Sequence, residues 1–309
     1  MAELSARRTR LEDVAAAVGV STASVSLVLR GVPGPSAETR ERVLAAATRL
    51  GYRPDRTASL LARRRSRLIG VMMDVRSSYH AELVEDIHEA AERNGYDVVL
   101  STITRSRDEG RAMESLVDSR CEALVLLGPD APATQLTALA RQLPVVVVGR
   151  RVRSADVVWV ADEVGVAQAV GHLADLGHRE IAFVDAGGGT ISAIRRRGYE
   201  QAMRRRGLAA HARLVPGDRT EEAGSEAART LLDAGELPTA VVTFNDRCAL
   251  GLLDVLSRAG VDVPGAVSVV GYDDSPLSRL AHVDLTTVGQ DTRGQAEAAV
   301  RAVVERLDD

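Results

Sequence analysis

Seven short apolar runs set the tightest limit on how this chain can fold. They are "LIGVMMD" (68–74), "YDVVLST" (96–102), "EALVLLG" (122–128), "PVVVVG" (144–149), "EIAFVDA" (180–186), "TAVVTFND" (239–246) and "VSVVGYDD" (267–274). Amphipathic stretches such as "AELVEDIHEAAERNG" and "GVAQAVGHLADLG" lie between them and carry a helical period. Near-continuous apolar strands alternating with helices predict parallel sheets covered on both faces. About four such units precede residue 160 and three follow it, which fits two α/β lobes around a cleft. Periodicity alone fits a doubly wound enzyme almost as well.

The region before the first run has a different character. Residues 1–67 hold 13 arginines against six acids, a net of +7, while the remaining 242 residues hold 26 arginines against 37 acids, a net of −11. No lysine occurs, so arginine alone would meet phosphate. This asymmetry predicts a small cationic module attached to a body that need not touch a polyanion. The start, "MAELSARRTRLEDVAAA", has no uninterrupted apolar segment, and no later segment reaches the roughly 20 residues that span a bilayer. A cytoplasmic location and no membrane partner are therefore expected. Cys121 and Cys248 lie far apart and are expected to be buried thiols in a reducing compartment.

Three short helices are predicted in the basic region. Thr9 and Glu12 have capping-box spacing for a first helix that turns Leu11, Val14 and Ala15 inward and stops near Gly19. Ser21 can cap a second helix whose buried stripe is Val25, Val28 and Leu29; the pair reads as a helix-turn-helix. Ser36 caps a third helix, with Val43, Leu44, Ala47 and Leu50 on its buried side. If the valines face inward, Thr22, Ala23, Ser24, Ser26 and Leu27 face out, with the start of the helix best placed for a major groove. The bare pattern also admits a structural three-helix bundle, and the regional charge favours DNA. Arg40, Arg42, Arg49 and Arg53 fit phosphate contacts or salt bridges. After Pro54, "DRTASLLA" fits two turns of helix beside the cluster Arg63, Arg64, Arg65 and Arg67; an exposed basic linker fits the same spacing.

The run "LEDVAAAVGVSTASVSLVLRGVPGPSAETRERVLAAATRLGYRPD" (11–55) strongly resembles the LacI/GalR family of bacterial transcription regulators, and the body follows that family through about residue 307. The resemblance implies an all-α helix-turn-helix domain (1–53), a hinge (54–67) and a two-lobed periplasmic-binding-protein-like body with parallel sheets (68–309). It also implies a homodimer on a pseudo-palindromic double-stranded operator, most simply a repressor, with a small-molecule effector, by default a sugar or sugar derivative. Thr22 and Ala23 match the first exposed positions of the recognition helix, and Ser21, Ser24 and Ser26 match groove-facing or phosphate-contact positions. Leu27 stands where the family usually has Arg, so a guanine contact is replaced by an apolar group suited to a thymine methyl. Arg30 stands where Asn is common. Leu61 aligns with a minor-groove lever, but Ser59 and Leu60 replace the usual Arg-Ser, so Leu60 or Leu61 is the candidate wedge.

Open parallel sheets bind ligands at the carboxyl ends of their strands. Asp74 ends the first strand, and Tyr79 and His80 follow in a loop where the family has Asn-Pro-Phe-Phe. Arg195, three residues before Gly198, matches the family's effector-contacting arginine. Asn245, Asp246 and Asp273 match cleft positions suited to holding hydroxyls, Asp246 fitting equally a role in organising the helix start, and Trp159 and Asp162 of "VVWVADEVG" are further candidates. No His-Glu-x-x-His, phosphate loop or G-x-S-x-G elbow appears, so no catalysis, cofactor or metal is expected. Two other readings stay open: a small-molecule binding protein without DNA contact, and a regulator whose cleft no longer binds an effector. The family usually continues past "AVRAVVERLDD" with a glycine-containing turn and a final strand, which leaves one strand position in the body open.

Overall fold

The computed structural model describes residues 9–29, 31–52 and 65–308, and the chain divides after Ser66 into two compact units. The first unit contains α1 (Leu11–Val18), α2 (Thr22–Leu29) and α3 (Ala37–Arg49). Gly19 ends α1 at φ +71°, a left-handed conformation that costs glycine little, and α2 leaves at 105° to α1 after a three-residue turn. The core is Val14, Ala15, Val18, Val25, Val28, Val43, Ala46 and Ala47, with Leu11, Leu29 and Tyr52 packed at its margin.

Three local expectations shift. The capping pair of α1 is one residue later than Thr9 and Glu12: the Asp13 carboxylate accepts from the Arg10 N–H at 2.7 Å, while the Thr9 hydroxyl donates to the Leu50 carbonyl. On α3 the buried stripe is Val43, Ala46 and Ala47, whereas Leu44 is 48% exposed and Leu50 36%. Leu44 sits one helical step off the stripe, and Leu50 is the C-cap residue, where the helical rotation that would turn it inward has ended. Arg42 and Arg40, read as phosphate or salt-bridge groups, donate to backbone carbonyls: Arg42 to Val18 at the end of α1 at 2.6 Å, and Arg40 to Val32 in the loop after α2 at 3.0 Å.

The second unit holds two five-stranded, all-parallel sheets. In the N-lobe the order is β2-β1-β3-β4-β5, from β1 (Leu68–Asp74), β2 (Asp97–Ile103), β3 (Ala123–Leu127), β4 (Val145–Val148) and β5 (Asp156–Val158). In the C-lobe it is β10-β9-β8-β6-β7, from β6 (Ile181–Asp185), β7 (Arg213–Pro216), β8 (Ala240–Thr243), β9 (Ser268–Asp273) and β10 (Thr286–Gly289). Central strands are buried throughout, as their apolar runs require: β3, β4, β6 and β8 have no exposed residue.

Helices cover both faces of each sheet. They are α4 (Ser78–Arg93), α5 (Glu109–Asp118), α6 (Ala133–Ala140), α7 (Asp162–Asp175), α8 (Thr190–Arg205), α9 (Glu221–Asp233), α10 (Asp246–Arg258) and α11 (Thr292–Asp308). The close pairing of α9 and α10 needs glycine at Gly224 and Gly251, where a Cβ would meet backbone oxygens at 1.9 and 1.8 Å. The chain crosses between lobes after β5 and again after β10, and α11 returns to the N-lobe, where Ala296, Ala299, Val300 and Val303 pack with α4 residues Leu83 and Ile87. No single helix among the described residues is long and apolar enough to cross a membrane. Cys121 and Cys248 are buried free thiols, and burial pushes them up to about 11 and about 12.

Candidate functional site

Two surfaces have chemistry that the core does not account for. On α2, the Ser21 hydroxyl accepts from the Ser24 N–H at 3.1 Å and lies 3.0 Å from the Ser24 hydroxyl, capping the helix start. Ser21, Thr22 and Ala23 are exposed, Ser24, Ser26 and Leu27 are half-buried, and Val25 and Val28 are packed away. The outward face is thus small and polar at its amino end, with amide groups that favour phosphate. Arg30, Leu60 and Leu61, and the short helix expected after Pro54, lie outside the described residues.

The second surface is a cavity between the lobes, enclosing about 70 Å³ and lined from the carboxyl ends of strands in both sheets. It brings together Asp74, Tyr79, His80, Asp162, Arg195, Asn245 and Asp273. Trp159 and Asp246 are not among its walls. Trp159 is 41% exposed on the crossover after β5, beneath the Arg151 guanidinium at 4.5 Å, in a shallower groove of about 760 Å³ between the two crossovers. That groove gathers no cluster of paired charges. Asp246 is fully buried; its carboxylate accepts from the Ser275 N–H at 2.7 Å and the Thr287 hydroxyl at 2.5 Å, so it ties the loop after β9 to β10.

The cavity chemistry follows from burial and pairing. Burial alone would raise the Asp74 carboxyl, but bidentate bonds from Arg76, at 3.1 and 3.0 Å, hold it below its ordinary value. His80 accepts the Asp74 N–H at its Nδ1 (3.1 Å), which leaves the proton on Nε2; burial lowers its pKa to about 4, so the ring is a neutral donor. Tyr79 donates to Gln295, and burial raises its phenol. Arg195, 4% exposed, donates to Asp162 at 2.7 Å and to the Phe244 carbonyl at 2.5 Å, with Asp273 at 3.8 Å and the Tyr272 ring 3.6 Å away. Burial alone would lower it, but Asp162 and its other partners keep it charged.

Asp273 sits at φ +113°, a strained conformation for a residue with a Cβ. Burial pushes its carboxyl up to about 7 against the opposing Arg195 charge, and Gln290 donates to it at 2.7 Å. Asn245 caps α10 through the Cys248 N–H at 2.9 Å while its amide donates to the Arg219 carbonyl at 3.1 Å.

Arg76, Arg219 and Gln290 also line the cavity and were not read from sequence. Arg219 and Gln290 follow β7 and β10, edge strands without a continuous buried run to mark them. Arg76 lies in the loop between Asp74 and Tyr79, but nothing in the spacing shows that it folds back on Asp74. Among the described residues no group of three His, Cys, Asp or Glu side chains could hold a metal ion.

Comparison with known proteins identifies the architecture. Residues 10–55 match the model for bacterial regulatory proteins of the lacI family, and residues 170–309 match a periplasmic binding protein-like domain. The chain is 33% identical over 285 residues to the HTH-type transcriptional regulator GalR of Escherichia coli (strain K12), covering 90% of this chain and 83% of that protein. It belongs to the LacI/GalR family of bacterial transcriptional regulators. Two solved structures extend the likeness of this family member across its length. The lac repressor dimer bound to operator and the anti-inducer ONPF superposes with a TM-score of 0.83 at 30% identity, covering 97% of this chain and 92% of that one. The transcriptional regulator CelR–cellobiose complex gives 0.69 at 29% identity, covering 97% and 94%.

Proposed function

We propose that this LacI/GalR-family regulator is a homodimeric repressor that reads a pseudo-palindromic operator through Ser21, Thr22, Ala23, Ser24, Ser26 and Leu27, with Arg30 and the hinge leucines Leu60 and Leu61 beside them. The observation that carries the reading is the division of α2: its valines are buried while its amino-terminal polar face stays exposed. A reading helix needs such a face, and a purely structural bundle does not. Two copies would present two such helices to successive major grooves about one helical turn apart. The similar lac repressor structure is a dimer on an operator, which supports this assembly.

The effector in this reading is a sugar or sugar derivative held by Asp74, Tyr79, His80, Asp162, Arg195, Asn245 and Asp273. The cellobiose complex of the similar regulator CelR supports that class. Ligand changes operator affinity only if it favours one arrangement of the lobes; a coupling of roughly 1–3 kcal/mol corresponds to 5–150-fold. The test is a mobility shift on the upstream intergenic DNA with the full chain and with a chain lacking residues 1–60, followed by a sugar screen read as release or capture of that DNA. A salt-sensitive shift by the full chain alone is expected. No shift at low salt counts decisively against operator binding.

A further inference from the structure

Three guanidinium groups and three carboxylates line the cavity, and they do not pair off evenly. Arg76 is held bidentately by Asp74, and Arg195 by Asp162 and the Phe244 carbonyl. Arg219 is held less closely. Its nearest carboxylates, Asp130 at 3.6 Å and Asp74 at 3.9 Å, are beyond hydrogen-bond reach. Both already accept elsewhere, Asp130 from the Thr190 N–H at 2.6 Å and Asp74 from Arg76. Arg219 is therefore a cation at the cavity wall, its side chain 30% exposed, that is ion-paired only at these longer distances and makes no side-chain hydrogen bond among the described residues.

A second donor points the same way. Because His80 Nδ1 accepts from the Asp74 N–H, its Nε2 must donate, and no acceptor for that atom is found among the described residues. The acceptors are mostly engaged. Tyr79 turns its hydroxyl to Gln295, and one oxygen of Asp273 takes Gln290, leaving its second oxygen for a ligand hydroxyl. Burial favours the protonated form of Asp273.

From this inventory we infer that the effector is a hydroxylated anion, a sugar carrying one phosphate or carboxylate, with the anionic group received by Arg219 and His80 and a hydroxyl by Asp273. The inference rests on the cleft being the effector site. A phosphate or carboxylate suits a guanidinium better than a neutral hydroxyl because both partners are ionised and the anion can accept two parallel N–H bonds at once.

The test is calorimetric titration of the full chain with glucose and cellobiose as neutral probes, and glucose 6-phosphate and gluconate as anionic ones. Titrations are repeated on Arg219→Gln and Arg219→Lys, with thermal unfolding as a check on folding. At least one anion should bind ten-fold or more tighter than glucose. Arg219→Gln should erase that preference and Arg219→Lys restore part of it. Preference for glucose 6-phosphate identifies a phosphate ester, and preference for gluconate a sugar acid. If a neutral sugar binds best and releases the operator, the anion inference fails and the repressor reading stands. If no probe of either kind binds, both this inference and the sugar-type effector fail. An anion preference unchanged in a folded Arg219→Gln protein also overturns it.

Discussion

Asp273 is the residue whose surroundings most nearly contradict its chemistry. It ends a strand at positive φ, and burial carries its carboxyl to about 7, above the roughly 3.9 of an unfolded aspartate. The folded protein therefore binds the extra proton between those values. The stabilisation is complete below about pH 4 and is lost as pH rises towards 7. His80 slopes the other way: its folded value of about 4 lies below the unfolded 6.5, so its contribution is present above pH 6.5 and lost as pH falls towards 4. The two oppose each other across the acid range, so the wild-type profile alone isolates neither. Asp273→Asn, which can still accept from Gln290, separates them. Denaturant unfolding of wild type minus variant should fall by about 1–3 kcal/mol between pH 4.5 and 7.5; a pH-independent difference would remove the burial argument. Arg195 carries a different risk. Arg195→Ala leaves Asp162 buried without its cation, and a loss of about 3–5 kcal/mol is expected in urea unfolding. Its effect on ligand binding is interpretable only beside the milder Arg195→Lys.

At the scale of elements, legibility followed burial. The seven apolar runs are β1, β2, β3, β4, β6, β8 and β9, each within a residue or two at its start; six are interior strands, apolar because both faces are covered, and β2 is a half-buried edge strand whose run is apolar all the same. The edge strands β5, β7 and β10 left no such mark, since one side of each faces solvent. Missing β7 and β10 meant missing Arg219 and Gln290 just beyond them. Strand-end residues of the central strands, Asp74, Asn245 and Asp273, were legible for the converse reason. In the first unit the caps at Ser21 and Ser36 were readable from local hydrogen-bonding rules, but the partners of Arg40 and Arg42 are eight and twenty-four residues away in sequence. Arg42 closes the carboxyl end of α1, where a cation also suits the helix dipole. Arg42→Ala should therefore lower the thermal stability of the first unit by the equivalent of about 1 kcal/mol and leave the salt slope of operator binding unchanged. A slope reduced by about one with stability intact would reassign Arg42 to phosphate.

Across the whole effector-binding unit, bonds between side chains and backbone already join the lobes. Asp130, after β3, accepts from the Thr190 N–H at the start of α8, where the helix dipole favours its charge, and Arg247 of α10 donates to the Arg76 carbonyl across the cavity mouth. These contacts run from one lobe to the other, so any change in the relation of the lobes must break or remake them. The crossovers after β5 and β10 are the places where such a movement would turn, and the chain's one tryptophan, Trp159, lies on the first. Asp130→Ala removes one lobe-to-lobe bond worth about 1 kcal/mol net, which raises the ratio of open to closed molecules about five-fold. Trp159 emission in the ligand-free variant should shift away from wild type, and a saturating effector should bring the two spectra together, because ligand contacts then hold the lobes in place of Asp130. Trp159 emission unchanged by a ligand that calorimetry shows to bind would move the hinge away from the first crossover.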